Sequence, residues 1–148
     1  MEKSKKLCVV GYGNWGKNHV RTLDMLGSLG GIVESDRGLI NQAKSKYPYL
    51  NVYNLLDDAL KNDFDGYVIC TQPAYHYELA KIIIESGKPV LVEKPLTLNS
   101  SDAIELNKLA KKNGVNLMVG HLLLFHPAFL KIKDMLENNI LGEIQYIY

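Results

Sequence analysis

The sequence predicts an α/β fold: a doubly wound parallel sheet of strand order 3-2-1-4-5-6, with helices on both faces. Three observations carry this. Short apolar runs (Cys8-Val9-Val10, Tyr67-Val68-Ile69-Cys70, Val90-Leu91-Val92) alternate with stretches of helical period, and such alternation builds parallel sheets. The runs are apolar at nearly every position, as strands buried on both faces are. The first run leads directly into Gly11-Tyr12-Gly13-Asn14-Trp15-Gly16, a G-x-G-x-x-G pattern. Three spaced glycines mean little in a loop, but between a strand and a helix they mark a phosphate-binding turn.

Each glycine has its own task in that turn. Gly11 permits the tight exit from the strand, Gly13 lets backbone approach a pyrophosphate, and Gly16 lets the helix pack closely on the sheet. The helix that follows places Gly16, Val20 and Leu23 on one face, and its free N–H groups and dipole favour phosphate. The second strand runs through Leu29-Gly30-Gly31-Ile32-Val33 to Glu34, where an acid can accept hydrogen bonds from a ribose. A carboxylate there opposes a 2′-phosphate and favours NAD over NADP. Asp36 competes for this role, and Arg37 could instead accept a 2′-phosphate, which keeps NADP open.

The remaining elements follow in order. A helix is expected over residues 39–47, ended by Pro48. Residues 51–53 form a third strand and 55–60 a short helix, with Asp57 and Asp58 placed where the dipole favours acids. Residues 66–70 form the fourth strand. The helix over 75–86 carries His76, Ala80 and Ile83 on one stripe and stops at Gly87. The fifth strand spans 89–92. Asn99 is the expected N-cap of the next helix, with Asp102 three residues on in a capping-box arrangement. Leu106 and Ala110 lie on that helix's buried stripe with Ala103, and the sixth strand spans 116–119. Pro127 suits the first turn of a last helix, with Phe129, Ile132 and Leu136 facing inward. Residues 142–148 alternate as a strand does.

Ligands in such a sheet bind beyond the carboxyl ends of the strands, which directs attention to three further stretches. Thr71, Gln72 and Pro73, with His76 after them, are expected to line the nicotinamide half of a dinucleotide. His76 also reads as an interior histidine. Glu93-Lys94-Pro95 follows the fifth strand. Lys94, partly desolvated at the cleft mouth, is the candidate for proton transfer with a sugar hydroxyl, and Glu93 would orient it or a ribose. Pro95 admits a cis Lys94–Pro95 peptide. The same three residues also read as a polar turn. His121 follows the sixth strand, where it either approaches substrate or caps backbone. His126 reads as a helix-starting residue. Tyr12 and Trp15 either shield a pyrophosphate or pack.

Composition excludes several classes. Seventeen basic and sixteen acidic residues leave a net charge of +1, which gives no nucleic-acid surface. The basic cluster Lys3, Lys5 and Lys6 reads as a solvated leader. No run approaches a membrane span and no export signal precedes Leu7. Cys8 and Cys70 fall in core strands as small hydrophobes, and the expected setting is the reducing cytoplasm. The four histidines lack metal-ligand spacing.

Three matches together identify a resemblance: Gly11 through Asn18, Cys70-Thr71-Gln72-Pro73-Ala74-Tyr75-His76, and Gly87-Lys88-Pro89-Val90-Leu91-Val92-Glu93-Lys94-Pro95. From Leu7 onward the chain resembles the N-terminal, Rossmann domain of the Gfo/Idh/MocA oxidoreductases, the last match being that family's signature. The resemblance implies an NAD-dependent dehydrogenase in which Lys94 is catalytic and touches substrate. The stretch from Gly120 to Pro127 is similar to nucleotide-sugar 3-dehydrogenases. Such enzymes continue into a second α/β domain, which implies a dinucleotide-binding domain over 1–141 and the first strand of an absent substrate domain over 142–148. An unpaired strand there predicts a homo-oligomer. The competing readings are a stand-alone dinucleotide-binding sensor without catalysis, and an S-adenosylmethionine-binding fold that leaves Glu-Lys-Pro unexplained.

Overall fold

The computed structural model describes residues 5–146. Lys3, Ile147 and Tyr148 lie outside the described residues. Six strands, β1 (Leu7–Val10), β2 (Leu29–Val33), β3 (Asn51–Tyr53), β4 (Gly66–Ile69), β5 (Val90–Val92) and β6 (Leu117–Val119), form one sheet. All neighbours pair in parallel, and the order is 3-2-1-4-5-6, as the sequence predicts. The helices are α1 (Gly16–Met25), α2 (Arg37–Lys46), α3 (Leu56–Leu60), α4 (His76–Glu85), α5 (Ser100–Asn113) and α6 (Pro127–Glu137). Short 3₁₀ turns at Pro73–Tyr75 and Leu122–Phe125 precede α4 and α6.

The two-residue period of the strands sorts side chains into two cores. Val9, Ile32 and Val68 meet Val20 of α1, Ala43 of α2 and Tyr47 at the C-cap of α2. Cys8, Val10, Ile69 and Val92 meet Ala80 and Ile83 of α4 and Leu106 and Ala110 of α5 on the opposite face. A fully buried Ile or Leu at such a position contributes roughly 1.5–3 kcal/mol. The sheet is thereby held rigid, and its carboxyl edge is a fixed platform for the loops after β1, β2, β4, β5 and β6.

Four expectations are corrected. Asn99 occupies the N-cap of α5, but its side chain accepts no backbone N–H; its amide donates to Asp102 at 3.2 Å instead. Phe129, Ile132 and Leu136 do not face inward: they are 47%, 47% and 41% exposed, and α6 has no buried residue. An apolar stripe specifies a face that favours cover, and within the described residues no element covers it. Residues 142–146 form no strand, since a strand without a neighbour has no ladder to join. Lys5 and Lys6 are exposed yet anchored, because Asp65 takes the Lys5 ammonium at 3.1 Å and the Lys6 N–H at 2.7 Å.

Candidate functional site

The glycine loop joins β1 to α1 at the centre of the sheet. Gly11 has φ +96° and sits so close to β4 that a Cβ would lie 2.9 Å from the Cys70 carbonyl oxygen. At Gly16 a Cβ would lie 2.0 Å from the Gly11 carbonyl oxygen. Both positions therefore close the loop onto its own scaffold. Gly13 is different: a Cβ there meets nothing within 4 Å. Its missing side chain leaves open space beside the positive end of the α1 dipole, where the Lys17 N–H is taken by the Gly13 carbonyl and the Asn18 and His19 N–H groups by that of Trp15. That space fits a pyrophosphate.

Glu34 follows β2 and is half-buried. Its carboxylate accepts from Tyr12 N at 2.7 Å, Ser35 N at 2.8 Å and Asp36 N at 3.0 Å. These bonds fix the acid against the glycine loop, with both carboxylate oxygens facing backbone N–H groups. Asp36, the competing acid, caps α2 through Leu39 N at 2.8 Å. Arg37 is exposed as the first residue of α2.

Gly11, Gly13, Asn14, Glu34, Thr71 and Gln72 line one cavity of about 650 Å³. Asn14, Trp15, Thr71, Pro73, Glu93 and Lys94 line a second of about 410 Å³. Asn14, Cys70 and Thr71 belong to both, so the two form one crevice along the carboxyl edge. A third, mainly apolar cavity of about 240 Å³ opens beside Glu34, between Leu55, Leu56 and Leu79. Cys70 lies in the crevice wall, but burial, with the Glu93 charge adding, pushes its thiol up to about 12. It is no nucleophile at neutral pH.

Three of the predicted residues shape the crevice from behind. Gly16 is buried beneath the loop. Tyr12 turns its ring into the core, edge-on to Tyr47 at 6.5 Å, and offers the loop only its N–H. His76 is 1% exposed, with Nδ1 2.8 Å from the Pro95 carbonyl oxygen and Nε2 3.1 Å from that of Thr71. It is the interior histidine of the two readings, and it bridges the loops after β4 and β5.

Lys94 follows β5 at the cavity mouth, and its peptide to Pro95 is cis. It is exposed, and its ammonium has no partner among the described residues. The partial desolvation expected for it is not supplied by these residues. Glu93 is the reverse case, 6% exposed. It accepts from the Trp15 indole N–H at 2.5 Å, meets His19 Nε2 at 2.8 Å, and lies 3.3 Å from Lys94 N. Sequence reasoning missed His19; its i, i+4 spacing from Trp15 was the available signal. His121 is exposed at the end of β6 with no side-chain bond among the described residues. His126 accepts from Ala128 N at 3.2 Å and caps α6 as expected.

The glycine loop, the acid after β2 and the lysine after β5 lie along one crevice at the carboxyl edge of the sheet, and the family comparison bears on what it holds. Residues 5–121 match the model described as "Oxidoreductase family, NAD-binding Rossmann fold", Gfo/Idh/MocA. The chain belongs to this family. Inositol 2-dehydrogenase of Corynebacterium glutamicum is 27% identical over 97% of the chain and 44% of its own length. Among solved structures, GenD2 of gentamicin A biosynthesis, in complex with NAD, is 29% identical with a TM-score of 0.87, over 94% of this chain and 40% of that one. The WlbA dehydrogenase of Bordetella pertussis, in complex with NADH and UDP-GlcNAcA, shares the fold at a TM-score of 0.90 and 23% identity, over 96% and 44%. The chain thus spans less than half the length of each. As a Gfo/Idh/MocA member it carries the family's NAD-binding domain, and no helix among the described residues is long and apolar enough to cross a membrane.

Proposed function

We propose that this chain binds NAD in the crevice and serves an oxidoreductase that moves hydride between nicotinamide and a hydroxyl of a sugar, polyol or nucleotide sugar. The observation that carries the proposal is the second cavity, which sets Lys94 beside Trp15, Thr71 and Pro73 at the end of the crevice that begins at the glycine loop. Gly13 and the α1 N-terminus would hold the pyrophosphate, Glu34 the adenosine ribose, and Thr71, Gln72 and Pro73 the nicotinamide half. NAD, when bound, supplies the hydride acceptor. Desolvated by a covering substrate domain, the Lys94 amine would take the hydroxyl proton as the carbon gives up hydride, and the reverse for reduction. His121, at the neighbouring strand end, is placed to approach the substrate.

The names of the relatives support the substrate class: one acts on inositol, one is solved with a nucleotide sugar. The crevice is open beyond Lys94, so positioning a sugar requires a wall that residues 5–141 do not provide. A substrate domain beginning near residue 142 would supply it. Positioning is worth about 7–11 kcal/mol of a barrier, so the 148-residue chain alone is expected to bind NAD without turnover. The test is NADH formation with a panel of polyols, sugars and nucleotide sugars. It compares the 148-residue chain with the same chain fused to the second domain of a Gfo/Idh/MocA relative. Activity of the longer protein that falls about 10²–10⁴-fold in Lys94→Ala, with cofactor affinity little changed, supports the assignment. Unchanged turnover would reduce Lys94 to a turn residue.

A further inference from the structure

We propose that Trp15 and His19 are positioning residues: they clamp the Glu93 carboxylate and through it hold the Glu-Lys-Pro turn in register with the glycine loop. This rests on the cofactor reading above. Trp15 and His19 stand one helical turn apart, on the same face of the start of α1. Both reach the same oxygen, Glu93 Oε1, at 2.5 and 2.8 Å. The other oxygen faces Lys94 N at 3.3 Å. From the far side Gly120, at the end of β6, closes on the carboxylate so tightly that a Cβ would lie 3.1 Å from Cδ and both oxygens. One side chain therefore ties three loop bases together: those after β1, β5 and β6.

Burial cost distinguishes positioning from simple packing. A buried carboxylate is expensive to desolvate, and an apolar side chain of similar volume is often neutral or better for stability. Its partner Trp15 is 45% exposed, so the indole is not held there as core. The ring instead forms part of the wall of the cavity that Lys94 lines, and the bond to Glu93 fixes that wall. With its side chain 8% exposed and both oxygens engaged, Glu93 acts on the site through these neighbours.

The test is NADH titration of the chain, read by energy transfer from Trp15, its single tryptophan, and by calorimetry. Glu93→Leu should keep its urea midpoint, yet bind NADH about tenfold more weakly, with altered Trp15 emission. His19→Ala should lose about fivefold in affinity, whereas His19→Gln, which keeps a side-chain N–H donor, should stay within about twofold of wild type. On the Glu93→Leu background, His19→Ala should have no further effect, because the residues act through one carboxylate. The inference is overturned if folded Glu93→Leu binds NADH as wild type does, or if His19→Ala costs the same on both backgrounds. Should Glu93→Leu not fold, equal affinities of His19→Ala and His19→Gln overturn it. Failure of wild type to bind NADH overturns the cofactor reading itself, and this inference with it.

Discussion

Two glycines three positions apart give opposite expectations. Gly16→Ala would drive a Cβ to 2.0 Å from backbone that cannot yield, so a loss of about 3 kcal/mol or more is expected in urea denaturation. Gly13→Ala places its methyl in open space. Stability should hold within about 0.5 kcal/mol, while NADH affinity falls tenfold or more because the methyl occupies the phosphate's approach. Equal stability losses at both sites would contradict this account of the loop. The thiols give a pH-dependent expectation. Burial raises Cys8 and Cys70 from 9.0 to about 12, so the native state retains these protons at pH values where the unfolded chain releases them. That contribution is fully present below pH 9 and is lost as pH rises toward about 12. Native protein at neutral pH should leave both thiols unmodified by a thiol-specific disulfide reagent, and urea should expose two. The glycine pattern was legible in the sequence because its geometry is local. The Glu93 clamp was not: its partners lie 74 and 78 residues away, and only the strand order, which sets the carboxyl ends of β1 and β5 on the same edge of the sheet, brings them together.

At the scale of elements, two helix starts separate propensity from a bond actually made. Asp36 caps α2 through Leu39 N at 2.8 Å, whereas Asn99 caps nothing with its side chain. Asp36→Ala should cost about 1 kcal/mol and Asn99→Ala less than about 0.5 kcal/mol. Matched thermal melts check the pair, and a larger loss at Asn99 would contradict the structure. All six strands within the sheet were legible because apolar runs bounded by turn residues have few other interpretations. Capping was less legible, since it depends on a single side-chain torsion. The inward face assigned to α6 failed for a third reason. Period alone identified Phe129, Ile132 and Leu136 as a stripe, but the position of a covering element is tertiary information. Leu106 shows the opposite outcome: read as core, it is fully buried on α5, and Leu106→Ala should cost about 2–5 kcal/mol.

For the molecule as a whole, the exposed apolar residues concentrate at one end of the sheet. Leu122, Leu123, Leu124, Phe125 and Leu130 are each more than half exposed, and they adjoin the α6 stripe. Contiguous apolar surface of that kind drives association, so the chain should bind a hydrophobic dye and self-associate as concentration rises in sedimentation velocity. A dye-silent monomer at every concentration would contradict this. The crevice lies along the carboxyl edge, where the glycine loop, Glu34 and Lys94 reach it from three different strands, and this arrangement carries the claim that the chain is an NAD site. Calorimetric titration of the 148-residue chain with NADH and with NADPH tests that claim most directly. One saturable NADH site per chain is expected, with NADPH weaker by about tenfold or more, because the Glu34 carboxylate would face the added phosphate. Absence of saturable NADH binding, or NADPH binding as tight as NADH, would contradict it.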